Sequence, residues 1–328
     1  MKQDAYDMTL KPFDFSQILE EVPEIGKFAV KIDSFSFEPP IDSSDVEPSL
    51  WQKLACLIKE KYDDYDGFII LHGTDTMAYS ASALSFMLDG LTKPVIFTGS
   101  QLPIGVPRTD GRENLISAVE IASAKDENGN PAVPEVCVCF ASLLMRGNRS
   151  TKVNSEGFRA FQSPNFPPLA EAGINIRYNN EYIRKPNDWL QNLSINTNLD
   201  TRVSILKIHP GITPQVVRNI LCGEETRAVI METYGSGNAP SGKWFLDILE
   251  EAKEMDKIVV NVTQCLAGTV NMNLYATGKH LEESGVIDGN DLTTESALAK
   301  LFYLMGKSQD NAWVRAMMGR NLKGEISK

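Results

Sequence analysis

The chain has 328 residues, a length that suits two domains with sizeable buried cores. Its formal net charge of −11 argues against a nucleic-acid or anionic-membrane partner, because both need clusters of lysine and arginine. No apolar run approaches the roughly 20 residues of a membrane-spanning helix, and no secretory signal is visible at the amino terminus, so we expect a chain with no membrane partner.

Cysteine and histidine usage bears on the cellular compartment and on metal binding. The five cysteines are mostly embedded in apolar runs, and we expect reduced core residues of a cytoplasmic protein. The histidines, His72, His209 and His280, have no metal-ligand spacing, so we expect no metal. Gly235-Ser236-Gly237 begins like a dinucleotide fingerprint, but Pro240 replaces the third glycine, so we expect no cofactor.

Strand-like and helix-like segments alternate through the first two hundred residues. Strands that are apolar throughout and separated by helices indicate a parallel sheet with both faces covered. The predicted strands are residues 28–32, 68–71, 95–98 and 136–140, and the predicted helices are residues 49–62, 76–88 and 112–124.

A polar stretch then interrupts the alternation, and a second, smaller series follows. We expect an amino-terminal domain of residues 1–184, a linker of residues 185–201 and a carboxy-terminal domain of residues 202–328. The fold class is α/β, with two domains that each contain a mainly parallel sheet flanked by helices. The second series has predicted strands at 203–207, 228–231 and 258–262, and predicted helices at 214–221, 243–255, 294–305 and 310–317.

The run Asp42-Ser43-Ser44-Asp45 precedes the first predicted helix. Ser44 and Glu47 have the spacing of a capping box, and Pro48 suits the first turn of a helix. The local sequence therefore favours a capping role for this run. Asp110 is interpreted in the same way, as an N-cap without a chemical role.

Thr74 and Asp75 stand where a predicted strand ends and a predicted helix begins. The free N–H groups of such a helix terminus attract anions such as a substrate carboxylate. A hydroxyl beside a carboxylate can also be a nucleophile with its orienting partner. The alternative is that one of the two only caps the helix, because threonine and aspartate are favoured N-caps.

The run His72-Gly73-Thr74-Asp75-Thr76-Met77 matches the second signature of the asparaginase/glutaminase family. Further runs resemble the type I, cytoplasmic L-asparaginases of bacteria, and they occur in the same order over nearly the whole chain. These runs are residues 62–67, 81–88, 93–96, 146–152, 237–240 and 263–265.

The resemblance implies an amidohydrolase that converts L-asparagine and water to L-aspartate and ammonia through a threonine nucleophile, without a cofactor. It implies that Thr74, Asp75 and Lys152 form one catalytic set. In that set a lysine acts as a base only when it is neutral, a state that burial favours. The family's substrate contacts match Asp42, Ser43 and Ser44, together with Thr74 and Asp75.

The resemblance also bears on assembly and regulation. It implies a homodimer or homotetramer, in which Asn238 is a candidate contact to the active site of a neighbouring subunit. Thr263 and Cys265 match the region where type I enzymes can bind a second, regulatory asparagine. The arginine that the family has there is Glu232 in this chain, and a negative charge at that place disfavours asparagine regulation.

The family's first signature, Thr-Gly-Gly-Thr-Ile-Gly, carries its primary nucleophilic threonine, and no run in this sequence matches it. The opening residues 1–6 are similar to those that continue that signature. We therefore expect that the chain begins immediately after the signature, through a misplaced start codon or a truncation. Tyr6 is the candidate for the loop tyrosine that assists the primary threonine.

Two other functions compete with amide hydrolysis, and the first of them stays open. The chain could be a catalytically impaired member of the family that binds aspartate or asparagine without turnover. The asparaginase-like subunit of a tRNA-dependent amidotransferase would carry an extra amino-terminal domain and a basic face, and this acidic chain shows neither. The residues do not separate asparagine from glutamine as the substrate, although the type I resemblance favours asparagine.

Overall fold

The computed structural model describes residues 2–3, 10–11, 20–273 and 276–327, and for residues 2–3, 10–11 and 276–277 it describes the backbone alone. The chain divides into two units, and the α/β class predicted from the sequence is confirmed. The amino-terminal unit contains residues 1–163 and 167–195, and the carboxy-terminal unit contains residues 164–166 and 196–328.

The amino-terminal unit is built on a six-stranded mixed sheet, whose strands lie in the order 176–178, 170–172, 143–146, 136–140, 95–98 and 68–71. Its strands are β1 (Lys2–Gln3), β2 (Leu10–Lys11), β3 (Phe68–Leu71), β4 (Leu88–Asp89), β5 (Val95–Thr98), β6 (Val136–Phe140), β7 (Leu143–Arg146), β8 (Thr151–Lys152), β9 (Phe161–Gln162), β10 (Ala170–Ala172), β11 (Ile176–Tyr178) and β12 (Ser194–Ile195). Its helices are α1 (Pro48–Glu60), α2 (Met77–Met87) and α3 (Gly111–Ser123). Helix α3 packs on β3, β5 and β6, and α2 packs on β6.

Only part of this sheet is parallel, whereas the sequence predicts a mainly parallel one. Strands β3, β5 and β6 run parallel at the predicted positions, whereas β7, β10 and β11 are antiparallel. The predicted strand at 28–32 is wrong, since this segment has no regular structure. Phe28 and Ile32 instead pack from the loop against a small cluster that contains Val22, Ile25 and Leu115.

The carboxy-terminal unit has a four-stranded sheet that is parallel throughout, and its strands lie side by side in chain order. Its strands are β13 (Val203–Lys207), β14 (Ala228–Thr233), β15 (Ile258–Thr263) and β16 (Ile287–Asp288). Its helices are α4 (Pro214–Leu221), α5 (Lys243–Glu254), α6 (Ala276–Glu283), α7 (Thr294–Lys307) and α8 (Asn311–Met318). Every strand and helix that the sequence predicts here is confirmed, and side chains from α4 and α5 pack with those of β13, β14 and β15 in a buried core cluster. Among the described residues, no helix has the length and apolar character needed to cross a membrane.

The buried Arg227 guanidinium ties together several segments of the carboxy-terminal unit. It donates to Asp200 Oδ2 at 3.1 Å, to Asn311 Oδ1 at 2.9 Å and to the carbonyls of Met305 and Ser308. Asp200 also accepts from the guanidinium of Arg202 at 2.7 Å and 3.0 Å. The hydrogen bonds from Arg202, with a further one from Arg227, lower the pKa of Asp200 to about 2.

We expect Asp200 to stabilise the fold at neutral pH and to lose that contribution under acid conditions. The unfolded carboxylate takes up its proton near pH 3.8, before the folded one does, so the contribution is complete above about pH 4 and is lost as the pH falls towards 2. Asp200→Asn should lower the free energy of unfolding by roughly 1–2 kcal/mol at pH 6 and by much less at pH 2.5. Urea denaturation at both pH values measures this difference, with Glu254→Gln on the exposed side of α5 as the control. Equal losses at the two pH values would contradict the assignment.

Candidate active site

Thr74 and Asp75 occupy the turn that leads from β3 into α2. Strand β3 ends at Leu71, and the next N–H, that of His72, donates to the Thr98 carbonyl of β5 at 2.9 Å. Helix α2 begins at Met77, its N-cap residue is Thr76, and no side chain caps it. The capping alternative for Thr74 and Asp75 is therefore wrong, and both side chains are available for contacts outside the helix.

Lys152 meets both of these side chains. It lies on β8, which pairs with β9 through Lys152 and Phe161. Its Nζ atom donates to Thr74 Oγ1 at 2.9 Å and to Asp75 Oδ1 at 2.7 Å. The Lys152 side chain is 20% exposed and that of Asp75 is 58% exposed. Solvent or a ligand can therefore reach the Asp75 carboxylate, whereas the Lys152 side chain is mostly covered. The structure thus brings the three predicted catalytic residues into one hydrogen-bonded set.

The segment before Lys152 owes its position to close packing against α2. Residues 147–150 are buried, and a Cβ atom on Gly147 would lie 3.1 Å from Ala81 Cβ and 3.0 Å from the Val136 carbonyl oxygen. Glycine at this position allows the close approach without crowding, so the segment packs along α2 and places Lys152 near the start of that helix. The ion pair of Arg146 with Glu135, at 2.6 Å and almost fully buried, holds the beginning of the segment.

Asp42, Ser43 and Ser44 form a short 3₁₀ turn that ends at Asp45. Asp42 caps this turn by accepting from the backbone N–H and the hydroxyl of Ser44, both at 2.9 Å, and these bonds lower the pKa of Asp42. The predicted capping box of Ser44 and Glu47 is wrong, because the N-cap of α1 is Glu47 and no side chain bonds to that terminus. Pro48 does occupy the first turn of α1, as predicted.

Ser43 joins this turn to the catalytic set. Its hydroxyl lies 3.3 Å from Asp75 Oδ2, and its carbonyl accepts from Thr76 Oγ1 at 2.6 Å. Gly73 allows the two turns to touch, since a Cβ there would lie 2.5 Å from Ser43 Oγ. Ser43 is therefore part of the same site as Thr74 and Asp75, while Asp42 and Ser44 lie exposed on the adjoining turn.

His72 supports the turn that carries Thr74 and Asp75, a role that was not predicted from the sequence. Its Nδ1 atom lies 2.6 Å from the Gly73 carbonyl oxygen, which can only accept, so this nitrogen carries the hydrogen. Its Nε2 atom then accepts from Ser80 Oγ at 2.9 Å, and Ser80 Oγ in turn accepts from Trp51 Nε1 at 2.9 Å. Burial lowers the pKa of His72, consistent with a neutral ring. The available signal was its position immediately before the Gly-Thr-Asp turn.

The remaining predicted site residues belong to the carboxy-terminal unit or lie outside the described residues. Thr263 Oγ1 donates to the Gly235 carbonyl at 2.5 Å and accepts from the N–H of the exposed Cys265 at 3.0 Å. Asn238 closes a turn by donating its N–H to the Tyr234 carbonyl at 2.8 Å. Tyr6 lies outside the described residues. Within residues 20–273 and 276–327, no group of three or more His, Cys, Asp or Glu side chains could hold a metal ion.

Glu232 lies next to the Thr263 region in the carboxy-terminal sheet. The register of β14 and β15 pairs Glu232 with Val262 and Thr233 with Thr263. The Glu232 carboxylate accepts from Thr294 Oγ1 at 2.7 Å and lies 3.3 Å from the Lys207 amine. Its charge is therefore already balanced within the chain.

Comparison with known proteins extends over both units. The asparaginase N-terminal family matches residues 1–184, and the glutaminase/asparaginase C-terminal domain family matches residues 202–318. L-asparaginase 1 of Escherichia coli K12 is 47% identical over 305 residues, which cover 93% of this chain and 86% of that protein.

Two solved structures are similar to the whole chain. The crystal structure of L-asparaginase I from Vibrio cholerae has a TM-score of 0.86 and 42% identity, and the match covers 96% of this chain and 92% of that one. The thermostable L-asparaginase from Thermococcus kodakarensis has a TM-score of 0.86 and 34% identity, with coverage of 95% and 92%.

Proposed function

Because the chain belongs to the asparaginase family, we propose that it is an amidohydrolase that converts L-asparagine and water to L-aspartate and ammonia. The observation that carries the proposal is the contact of Lys152 Nζ with both Thr74 Oγ1 and Asp75 Oδ1. Hydrolysis of an amide needs a hydroxyl or water as nucleophile and a group that takes up and returns its proton. The three side chains supply these functions within one hydrogen-bonded set.

The geometry supports proton transfer at Thr74. A neutral Lys152 amine 2.9 Å from the Thr74 hydroxyl can accept its proton and later return it to the departing ammonia. Asp75 fixes the amine through the 2.7 Å contact of Oδ1. Among the described residues, Thr74 is the threonine whose hydroxyl contacts the Lys152 amine, so it is the proposed nucleophile.

Ser43 and Asp75 are proposed to hold the amino-acid end of the substrate. The exposed part of the Asp75 carboxylate can accept from an α-amino group, and the uncapped start of α2 offers N–H groups to an α-carboxylate. Asp42 and Ser44, on the exposed 3₁₀ turn beside Ser43, complete the proposed contact surface.

We expect Ser43→Ala to raise KM for L-asparagine about three- to tenfold while kcat changes less. The reason is the loss of one hydroxyl that bonds to Asp75, a contribution of about 1 kcal/mol. Steady-state ammonia release measures both constants. Ser123→Ala, at the exposed end of α3, removes a hydroxyl that bonds only to the Glu120 carbonyl and serves as the control. An unchanged KM for Ser43→Ala would contradict this role.

Regulation by asparagine at Thr263 and Cys265 would bring the α-carboxylate of the ligand towards Glu232. That side chain is negatively charged and is held by Lys207 and Thr294. A negative charge facing a carboxylate opposes binding, so the proposed function does not include asparagine regulation at this place.

The proposed assembly is a cytoplasmic homodimer or homotetramer. Support comes from the resemblance to the type I enzymes and from the free thiols among the described residues, which suit a reducing compartment. Light scattering at micromolar concentration should give a mass two or four times 36.3 kDa. A folded monomer at that concentration would exclude this part of the proposal.

The proposed activity is tested by incubating the purified protein with L-asparagine and, separately, with L-glutamine. We expect equimolar aspartate and ammonia from asparagine, and slower release from glutamine. Binding of asparagine by calorimetry without any ammonia release would favour the amino-acid-binding alternative and would overturn the proposed function.

A further inference from the structure

Asp110 precedes α3, but it does not act as the plain N-cap that the sequence predicts. No side-chain bond from Asp110 caps that helix. Its carboxylate instead accepts the N–H of Gln101, at 3.0 Å from each oxygen, and the N–H of Leu102 at 3.1 Å. Asp110 therefore holds the backbone of residues 101 and 102, in the loop 99–102 that follows β5.

Asn114, one turn further along α3, completes this arrangement and is 3% exposed. Its Nδ2 atom donates to Asp110 Oδ2 at 3.2 Å and to the Gly99 carbonyl at 2.9 Å. Its Oδ1 atom accepts the N–H of Ala141 at 3.0 Å. Because Gly99 follows β5 and Ala141 follows β6, Asn114 joins the carboxyl ends of two neighbouring parallel strands.

Loop 99–102 contacts the two segments that carry the catalytic residues. On one side, Gly99 lies against the backbone carbonyl of His72, and a side chain at Gly99 would collide with it. His72 precedes the turn that carries Thr74 and Asp75, so this contact supports the start of that turn.

On the other side, the loop reaches the hairpin that carries Lys152. Gln101 Nε2 donates to the Gly157 carbonyl at 3.3 Å. Gly157 lies in the turn between β8 and β9, where its N–H donates to Asn154 Oδ1 at 2.7 Å. The hairpin is closed by the bond from the Val153 N–H to the Ala160 carbonyl at 2.8 Å.

We propose that Asp110 and Asn114 are positioning residues that set the placement of Lys152 relative to Thr74 and Asp75 through loop 99–102. This inference rests on the proposed function. Neither residue contacts the three catalytic side chains through any described bond, so their effect is on geometry. A shift of about 1 Å in a reacting group can cost roughly 10²-fold in rate, so this placement matters.

Two variants test the proposal. Asp110→Asn is isosteric, but it places an amide donor against backbone N–H donors that now bond to a carboxylate oxygen. Gln101→Met removes only the side-chain bond to Gly157 and leaves the bonds from the Gln101 N–H to Asp110 in place. Glu156→Gln, in the same hairpin turn, keeps the Glu156 N–H bond to Asn154 and is the matched control.

We expect kcat to fall at least tenfold in Asp110→Asn and three- to tenfold in Gln101→Met, with KM changed less than twofold and no change in Glu156→Gln. Without substrate, amide hydrogen exchange of residues 153–160 should be faster in both variants. Normal kcat in Gln101→Met would overturn the proposal. This holds even if Asp110→Asn unfolds, because the lower activity of Asp110→Asn would then come from a loss of folding. If the parent protein releases no ammonia, the proposed function falls, and hydrogen exchange alone then tests whether loop 99–102 holds the Lys152 hairpin. Unchanged exchange in both variants overturns the positioning proposal.

Discussion

Lys152→Met is expected to lower kcat for L-asparagine hydrolysis by about 10²–10⁴ while the fold stays intact. The variant keeps the length of the side chain but removes the amine that bonds to Thr74 Oγ1 and Asp75 Oδ1. The Thr74 hydroxyl then has no adjacent base, and Asp75 loses its hydrogen bond with the Lys152 amine. Thr74→Val and Asp75→Ala should each have an effect of similar size, because each removes one member of the same hydrogen-bonded set.

The double variant Thr74→Val/Lys152→Met sharpens this prediction. Groups that act as a unit are far from additive, so the double variant should be scarcely slower than the single ones. Lys125→Met, which removes an exposed lysine paired with Asp66, is the control and should keep normal kcat. Near-normal turnover by Lys152→Met at neutral pH would show that the lysine is not the base.

Lys300→Met is expected to lower the free energy of unfolding by about 3–5 kcal/mol. Lys300 and Glu325 form a 2.6 Å ion pair in which both side chains are fully buried. The Lys300 amine also donates to the carbonyls of Met318 and Arg320. Removing the amine leaves the Glu325 carboxylate without its cation in the interior, which is the costly situation for a buried charge.

A double-mutant cycle separates the pair from its surroundings. Glu325→Gln should also destabilise strongly, and Lys300→Met/Glu325→Gln should cost clearly less than the sum of the two single changes, because the second change removes the stranded charge. Urea denaturation measures each step. The control is Lys243→Met; the Lys243 side chain is 87% exposed and pairs with Asp247 one turn away, so the effect should lie within about 0.5 kcal/mol. Additive losses in the cycle would contradict the coupling.

The sequence predicted best those elements whose burial is complete. The apolar strands at 95–98, 136–140 and 258–262 are buried almost throughout, so composition alone marks them as parallel strands between helices. Strand β7 was missed because it follows a two-residue hairpin loop formed by Ala141 and Ser142. Both have positive φ, of 48° and 69°, although neither is the glycine or asparagine that usually signals such a turn.

The candidate site was predicted only in part, for a related reason. The turn that carries Thr74 and Asp75 has a local signal, since a strand ends and a helix begins there. Lys152 is 77 residues beyond Asp75, and no periodicity links the two, so this contact came from the family resemblance alone. The local sequence favoured helix capping for the run that contains Ser43 and for Asp110, and only the family resemblance marked Ser43 as a substrate contact; the partners of both side chains lie in other segments.

A crystal structure of the protein with its product, L-aspartate, tests the central claim most directly. We predict that the α-amino group contacts Asp75, that the α-carboxylate lies beside Ser43, and that the side-chain carboxylate is within hydrogen-bond distance of Thr74 Oγ1 and Lys152 Nζ. L-aspartate bound with its side-chain carboxylate away from both Thr74 and Lys152 would contradict the assignment of these residues to amide hydrolysis.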